Sequence, residues 1–298
     1  MANVKRIVLA TAITGALLAV IFIVLKHFKV KNPFKKGGTS GIGSSLTTSK
    51  KMEIDLAEST KFNDAYFKTL SSSPTMVSNA KTLLSEMNKE GLISPYTQAG
   101  ILAVVSKESN FTLKSENLNY TAARLQQVFG LDADTASTLG SLTGDDKQKQ
   151  IADTVYMPPH NTQLGNVNDG DGYAYRGRGY NQITGRANYK KIGDKIGVDL
   201  ISNPDMLNDP TVAAKAAIQF FKDGIVALTK NGKMASMYNN PTGDINGFKN
   251  ELDAAAAMYN VNAGTGQTQA FLLKDVTGGR ALTMARAQGF VAWIKSVS

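Results

Sequence analysis

The chain has 298 residues, of which 42% are apolar and 19% are charged, a composition that predicts a folded protein and excludes wholesale disorder. It has no cysteine and two distant histidines, which excludes disulfide scaffolds, cysteine-ligated metal sites, thiol nucleophiles and His-rich metal sites. The net charge of +9 is concentrated in residues 1–36, which carry seven Lys or Arg side chains and no acid, so no nucleic-acid partner is expected for the rest.

The first predicted element is an unbroken uncharged run at residues 7–25. As a helix it would extend roughly 28 Å at ~1.5 Å per residue, close to the thickness of a bilayer core. A cleaved signal peptide is the alternative, but its apolar core is usually shorter and no small-residue cleavage pattern follows Leu25. A buried core helix is the third possibility. The run therefore predicts a transmembrane anchor with basic flanks over residues 1–36, a lipid-bilayer partner and a single-pass membrane location.

Beyond the anchor, the sequence predicts a linker and a poorly defined segment over residues 37–74, followed by a folded domain over residues 75–298. In that domain apolar residues recur at helical spacing, and alternating strand patterns are rare, which predicts a mainly α-helical fold. The expected helices are Val77–Lys89, Pro95–Glu108, Thr121–Phe129, Lys147–Tyr156, Asp209–Leu228, Leu252–Tyr259 and Leu282–Ile294.

Residues 157–188 interrupt the helical pattern, because they are rich in Gly, Asn, Asp and Tyr. Long irregular segments within a compact domain are often functional. Residues 170–189 combine tyrosines, whose flat faces suit sugar rings, with Gln and Asn amides, which suit hydroxyl and N-acetyl groups. Arginines here can orient a carboxylate, and the Thr184 hydroxyl can position a water. The segment is therefore predicted to form the wall of a cleft.

Simpler interpretations of this segment do not fit its residues. The glycines at 177 and 179 lack the third glycine of a dinucleotide-binding loop, since Gln182 stands in its place. The stretch from Asn166 resembles a calcium loop, but its twelfth position is Gly177, where a glutamate is needed. Neighbouring aspartates oppose an RNA-binding patch. Neither a metal nor a cofactor is predicted.

Two acidic residues stand out by their context. Glu108 lies at the end of an apolar helix, where partial removal from water raises the pKa of a carboxyl and suits a general acid. Glu116 follows after polar residues that end the helix, so it can face Glu108 across a gap. Carboxyls about 6.5–9.5 Å apart suit inverting glycoside hydrolysis. Because glutamate pairs are usually only solvated charge, the hypothesis depends on residues 170–189.

Five sequence elements together resemble one known family. They are Glu108–Phe111, Glu116–Tyr120, Gly170–Tyr189, Asn203–Leu207 and Tyr259–Gly264. Residues 77–295 resemble glycoside hydrolase family 19, and within it the phage endolysin and bacterial lysozyme branch. The resemblance implies a mainly α-helical, lysozyme-like domain of two lobes with a substrate cleft. It also implies hydrolysis with inversion at the anomeric carbon and without a cofactor.

The resemblance further implies a role for individual residues. Glu108 would be the general acid, Glu116 the base or a group that helps activate water, and Thr184 a holder of that water. The other implied site residues are the sugar-binding Tyr175, Gln182, Asn188 and Asn262 and the supporting Arg176 and Arg178. Lys107 departs from the family pattern, which usually has histidine there. A cation beside Glu108 would lower the pKa of its carboxyl and oppose the acid role, and the alternative is that Lys107 points away on the helix.

Together these observations predict a membrane-anchored glycosidase that cuts the β-1,4 glycan strands of bacterial peptidoglycan, in a cell envelope or as a virion-associated lytic enzyme in an internal membrane. A chitinase acting on N-acetylglucosamine polymers is the alternative enzyme. From another class, a wall-binding structural membrane protein could keep the fold without turnover. A DNA-binding membrane protein rests only on the charge of residues 1–36. The bond that is cut, the membrane orientation and the oligomeric state stay open.

Overall fold

The computed structural model describes residues 63, 65–265 and 279–298, and within these ranges the chain is mainly α-helical, as predicted. The same ranges contain no β-strand; an isolated antiparallel bridge joins Arg178 and Ile183. The helices are α1 (Pro74–Lys89), α2 (Pro95–Glu108), α3 (Ala122–Phe129), α4 (Ala133–Ser141), α5 (Gly144–Tyr156), α6 (Asp171–Ala174), α7 (Arg186–Ile196), α8 (Pro210–Lys230), α9 (Lys233–Tyr238), α10 (Glu251–Ala263) and α11 (Gly279–Val297), with a 3₁₀ helix at Pro204–Asn208 between α7 and α8.

The predicted helices are all present, and the structure adds others that the periodicity did not indicate. Helix α4 buries Ala136 and Leu139 only, which is too little apolar surface to give a helical stripe in the sequence. Helix α7 is strongly polar and buries Tyr189, Ile192 and Gly193. Such helices are stabilised by their neighbours in the fold, which a local pattern does not record.

Side-chain caps explain where several long helices begin. The Ser73 and Ser94 hydroxyls accept hydrogen bonds from backbone N–H groups in the first turns of α1 and α2, and the Asp209 carboxylate does the same for α8. Each cap is followed by proline, whose missing N–H costs nothing at a helix start. The caps therefore fix the starting points of the three helices that bring the largest apolar core together.

Helix α2 is the centre of that core. Its residues 97–106 are all buried, so it is covered on every side, and it packs against α10 and α11. Gly100 permits the close contact with α10, because a Cβ there would lie 3.0 Å from the Ala254 carbonyl carbon. The alanines of α10 at residues 254–257 are likewise fully buried. Glu108 is thus the last residue of a helix that is held by packing on all sides, and it lies where this helix emerges from the core.

Residues 65–71, which belong to the predicted linker and poorly defined segment, are helical and join this core. Tyr66 and Leu70 are buried in it, and the Phe67 ring meets the Phe290 ring of α11 edge-on at 4.9 Å. Gly289 of α11 leaves the space for Phe67, since a Cβ there would lie 2.2 Å from the Phe67 Cε2. The described part of the folded domain therefore starts before residue 75, and the rest of the predicted boundary stays a prediction.

Two smaller apolar cores complete the described part of the chain. One lies within residues 118–156, where Leu118, Leu125 and Ile151 are fully buried. The other gathers Tyr189 and Leu207 around α7 and α8. The segment with Glu116 leads from the largest core into the first of these. The segment from 170 to 189 leads into the second.

The predicted transmembrane run at residues 7–25, its basic flanks and most of the predicted linker lie outside the described residues. Across residues 63, 65–265 and 279–298, every helix is too short or too polar to cross a bilayer. The predicted localisation is therefore corrected: the structure gives no support for a single-pass membrane protein or for a lipid-bilayer partner.

Candidate active site

Glu108, the last residue of α2, is held by two polar side chains and largely withdrawn from water. Its side chain is 9% exposed, and its Oε1 lies 3.4 Å from the Lys107 Nζ. The Asn262 side chain, from the end of α10, also hydrogen-bonds it. Burial raises the pKa of the Glu108 carboxyl, and the Lys107 ammonium and the two hydrogen bonds oppose that rise. A carboxyl in this state suits proton donation.

A tight turn directs the chain away from Glu108. Asn110 and Phe111 both adopt left-handed backbone conformations, with φ of 51° and 56°, which are unfavourable for residues other than glycine. The core holds them there, because Phe111 is fully buried and its carbonyl accepts a hydrogen bond from the Asn79 side chain at 2.8 Å. The Tyr180 hydroxyl in turn donates to the Asn79 carbonyl at 3.1 Å. The turn is thereby tied to the segment that contains the other predicted site residues.

Glu116 is held by neutral hydrogen-bond donors. The Tyr156 hydroxyl, at the end of α5, lies 2.8 Å from both carboxylate oxygens, and the Gly177 N–H donates to Oε2 at 3.3 Å. The Glu116 N–H donates to the Gly177 carbonyl at 2.8 Å. Burial raises the pKa of the Glu116 carboxyl; the hydroxyl, the N–H and the more distant Arg176 charge oppose that rise. These donors hold the carboxylate in one orientation.

The turn at residues 178–183 places its side chains by backbone geometry. Arg178 and Ile183 exchange backbone hydrogen bonds at 3.2 and 2.9 Å, and Gly179 and Gln182 have positive φ angles of 72° and 49°. The Gln182 amide donates to the Gly179 carbonyl at 3.0 Å. A Cβ at Gly177 would lie 2.9 Å from Gln182 Oε1 and 3.4 Å from the second carboxylate's Oε2. Glycine at 177 therefore lets the turn lie directly against that carboxylate.

The same turn connects the surroundings of the two carboxylates. The Asn181 side-chain amide donates to the Asn262 Oδ1 at 3.1 Å, and Asn262 contacts Glu108. The next residue, Gln182, lies beside Gly177, which contacts Glu116. Contacts thus run from one glutamate to the other through residues 177–182 and α10. The structure brings Glu108, Glu116, Gln182 and Asn262 into one neighbourhood.

Thr184 and Asn188 follow the turn in the chain and are linked to it by hydrogen bonds. The Thr184 hydroxyl donates to the Gln182 carbonyl at 3.0 Å, which leaves the oxygen able to accept a hydrogen bond. The Asn188 side chain is exposed and donates to the Thr184 carbonyl at 2.8 Å. Thr184 therefore contacts Gln182 directly, and Asn188 is linked to it through Thr184.

Arg178 and Arg176 hold the backbone of the site. Arg178 is 2% exposed, and its guanidinium donates to the Asp205 carboxylate at 2.8 Å and to the Ala174 carbonyl at 2.6 Å. Arg176 is half-buried; its guanidinium carbon lies 3.9 Å from the centre of the Tyr173 ring. The arginines thus brace the segment on both sides of Gly177.

Tyr175, which is predicted to bind sugar, is largely buried among neighbouring side chains. It is 4% exposed, and its hydroxyl donates to the Ile201 carbonyl at 3.1 Å. The Arg186 guanidinium carbon lies 4.9 Å from the centre of the Tyr175 ring, and Tyr189 meets that ring edge-on at 5.2 Å. The Tyr175 hydroxyl and ring thus already have protein partners, and its predicted role in sugar binding stays a prediction.

Sequence reasoning missed two residues that contact the site. Tyr156 was expected only as the end of a helix, since nothing local connects it with a glutamate forty positions away. Asn181 gave a weak signal through its place beside Gln182. Within residues 63, 65–265 and 279–298, no group of three or more His, Asp or Glu side chains is arranged to hold a metal ion.

Comparison with known proteins identifies the family. The family model described as "Chitinase class I" matches residues 146–256, which include residues 170–189 and begin after both glutamates. A "Glycosyl hydrolase family 19 domain-containing protein" of Haemophilus influenzae is 30% identical over 182 residues, which cover 60% of this chain and 84% of that protein. The chain belongs to glycoside hydrolase family 19. It is accordingly a glycosidase.

Plant relatives match a smaller part of this family 19 protein. An "Acidic 27 kDa endochitinase" of Solanum lycopersicum is 34% identical over 119 residues, 34% of this chain and 46% of the relative. "Endochitinase CH25" of Brassica napus is 49% identical over 51 residues, 17% of this chain and 16% of the relative. The chain thus spans less than half the length of these two endochitinases.

Proposed function

We propose that this family 19 enzyme hydrolyses the β-1,4 glycan strands of peptidoglycan with inversion, using Glu108 as the general acid and Glu116 as the general base. The observation that carries the proposal is the pair of buried carboxylates with different partners on one connected network. Glu108 contacts an ammonium and an amide, and Glu116 contacts a phenol and a backbone N–H.

In the proposed reaction, protonated Glu108 gives its proton to the glycosidic oxygen as the bond from that oxygen to the anomeric carbon breaks. A water attacks the same carbon from the opposite face of the sugar ring and forms the new carbon–oxygen bond. Ionised Glu116 takes the proton of that water, and the Thr184 oxygen accepts its second hydrogen bond. One water is consumed, and the product carries an inverted hemiacetal.

The proposed substrate contacts come from the more exposed polar side chains of the neighbourhood. Gln182, Asn188 and Asn262 offer amides to sugar hydroxyl and N-acetyl groups. Arg176 and Arg178 support the segment behind them, as their contacts with backbone carbonyls indicate. Each amide already has a protein partner, so sugar binding uses the remaining donor or acceptor of the group.

Two considerations favour peptidoglycan over chitin. Residues 170–189 resemble the endolysin and bacterial lysozyme branch of the family. The bacterial relative is covered over 84% of its length, whereas the tomato endochitinase is covered over 46%. Chitin is the second candidate because of those plant relatives. The virion role predicted from the membrane run forms no part of the proposal.

Product analysis tests the proposed reaction. The full chain is incubated with purified peptidoglycan and, separately, with N-acetylglucosamine oligomers, and the products are followed by mass spectrometry and by NMR of the new anomeric centre. We expect soluble muropeptides that first appear as the inverted α-anomer. Turnover of the oligomers alone would overturn the peptidoglycan assignment. Release of no product from either substrate would overturn the proposed reaction as a whole.

A further inference from the structure

The ammonium of Lys107 has an unusual position for a neighbour of a helical glutamate. Side chains at consecutive helix positions point about 100° apart and do not normally meet. Here the Lys107 Nζ nevertheless lies 3.4 Å from the Glu108 Oε1, and the two side chains are only 7% and 9% exposed. The lysine stem is therefore folded back towards the carboxyl, and helix geometry alone does not produce the contact.

A second element holds the lysine in this position. The Lys107 Nζ lies 5.6 Å from the centre of the Tyr259 ring on α10, within the range in which a ring face attracts a cation. One turn later, the same helix supplies Asn262 to the Glu108 carboxyl. Helix α10 thus contacts both members of the pair, and salt screens so buried a pair weakly.

We propose that Lys107 is a positioning residue that orients the Glu108 carboxyl and stabilises the carboxylate left behind when the proton moves to the substrate. The proposal rests on the proposed role of Glu108 as the general acid. A fixed cation beside the donor oxygen gains attraction as the negative charge develops, and a buried pair gains more than an exposed one. Lys107 thereby makes Glu108 a stronger acid than burial alone would leave it.

The other groups around Glu108 do not replace this cation. From α10, Tyr259 faces the lysine and Asn262 is neutral. From α11, the Arg286 guanidinium donates to the Ser106 hydroxyl at 3.0 Å, two residues before the acid. On α1, the charged pair of Glu86 and Lys89 lies where that helix leads into the start of α2, at the end opposite Glu108. Within the part of the chain that the structure describes, Lys107 is the charged side chain that hydrogen-bonds the acid.

The test replaces the cation and follows the pH dependence of kcat/KM in the full chain. In Lys107→Met the basic limb, which reports loss of the Glu108 proton, is expected to move to higher pH, and the rate on the plateau is expected to fall severalfold. Lys107→Arg keeps the charge and should keep the limb near its wild-type position. Lys81→Met, at an exposed site on α1, removes the same net charge and should leave the profile unchanged.

A readout that needs no turnover separates this proposal from the proposed function. The Glu108 carboxyl is titrated by carbon-13 NMR, with Glu108→Gln used to assign its signal, and its pKa is expected to rise in Lys107→Met. An unchanged or lowered pKa, or an unmoved basic limb, would overturn the role of Lys107 even if the wild type cuts glycan. If Lys107→Met does not fold, Lys107→Gln keeps a polar end group at this position and carries the same expectation.

Discussion

The surroundings of Glu108 differ from those of Glu116 in the kind of group that holds each carboxylate. Glu108 ends a long core helix and contacts an ammonium and a side-chain amide. Glu116 lies in a segment without regular secondary structure and contacts a tyrosine hydroxyl and a backbone N–H. Burial raises the pKa of both carboxyls, so the environment alone does not assign the two roles.

The contacts themselves distinguish the two residues. The donors at Glu116 are neutral and directed at the carboxylate oxygens, so they fix the direction in which its lone pairs point. At Glu108 the charged group is the Lys107 ammonium, whose Nζ lies 3.4 Å from Oε1. This distance is longer than that of a strong charge-assisted hydrogen bond, so the ammonium favours the ionised carboxylate but does not prevent its protonation. We therefore expect orientation to be the main contribution at Glu116, the proposed base, and electrostatics at Glu108, the proposed acid.

The largest expected effect comes from neutralising each carboxyl in turn. Glu108→Gln removes the proposed proton donor and Glu116→Gln removes the proposed proton acceptor, and each is expected to lower kcat by about 10²- to 10⁴-fold. Exogenous azide separates them, because a small anion can replace a missing base but not a missing acid. Rescue of Glu108→Gln instead of Glu116→Gln would reverse the two assignments.

Gly177→Ala tests the fit between the turn and the base. The new Cβ would lie 2.9 Å from the Gln182 Oε1, so the Gln182 side chain must move, whereas the 3.4 Å to the Glu116 Oε2 is an ordinary van der Waals contact. We expect kcat to fall by about 10²-fold, since a small displacement of a group that positions the substrate can cost this much. The thermal melting temperature should change little; a large drop would mean that the glycine is needed for folding rather than for geometry.

How far the sequence predicts the site depends on how local each contact is. The helical repeat predicted α2, and the end of its apolar run indicated Glu108. Residues 170–189 showed their polar character directly, although not that Tyr175 is covered by Arg186. The contact of Tyr156 with Glu116 joins positions forty residues apart and depends on how α5 packs, which no local pattern contains.

Tyr156→Phe sharpens the comparison at the base. Removing the hydroxyl takes away a donor that favours the ionised form of Glu116, so the pKa of this carboxyl rises further. The acid limb of the kcat/KM profile, where the base becomes protonated, should then move to higher pH, and kcat should fall by about tenfold. Tyr96→Phe, at the opposite end of α2 from the acid, is the matched control. A shift of the basic limb instead would mean that the hydroxyl acts on Glu108.

The smallest expected effect is that of Asn181→Ala. The Asn181 amide contacts Asn262, which contacts Glu108. The change therefore affects the position of Glu108 only indirectly, through Asn262, and leaves the donors of Glu116 in place. We expect kcat to fall by about twofold, in keeping with the loss of one neutral hydrogen bond, with an unmoved acid limb. Asn203→Ala, at an exposed position before the 3₁₀ helix, controls for the loss of an amide. An acid limb that moves as far as in Tyr156→Phe would show that the turn acts on both carboxylates together, and the contrast between them would then be lost.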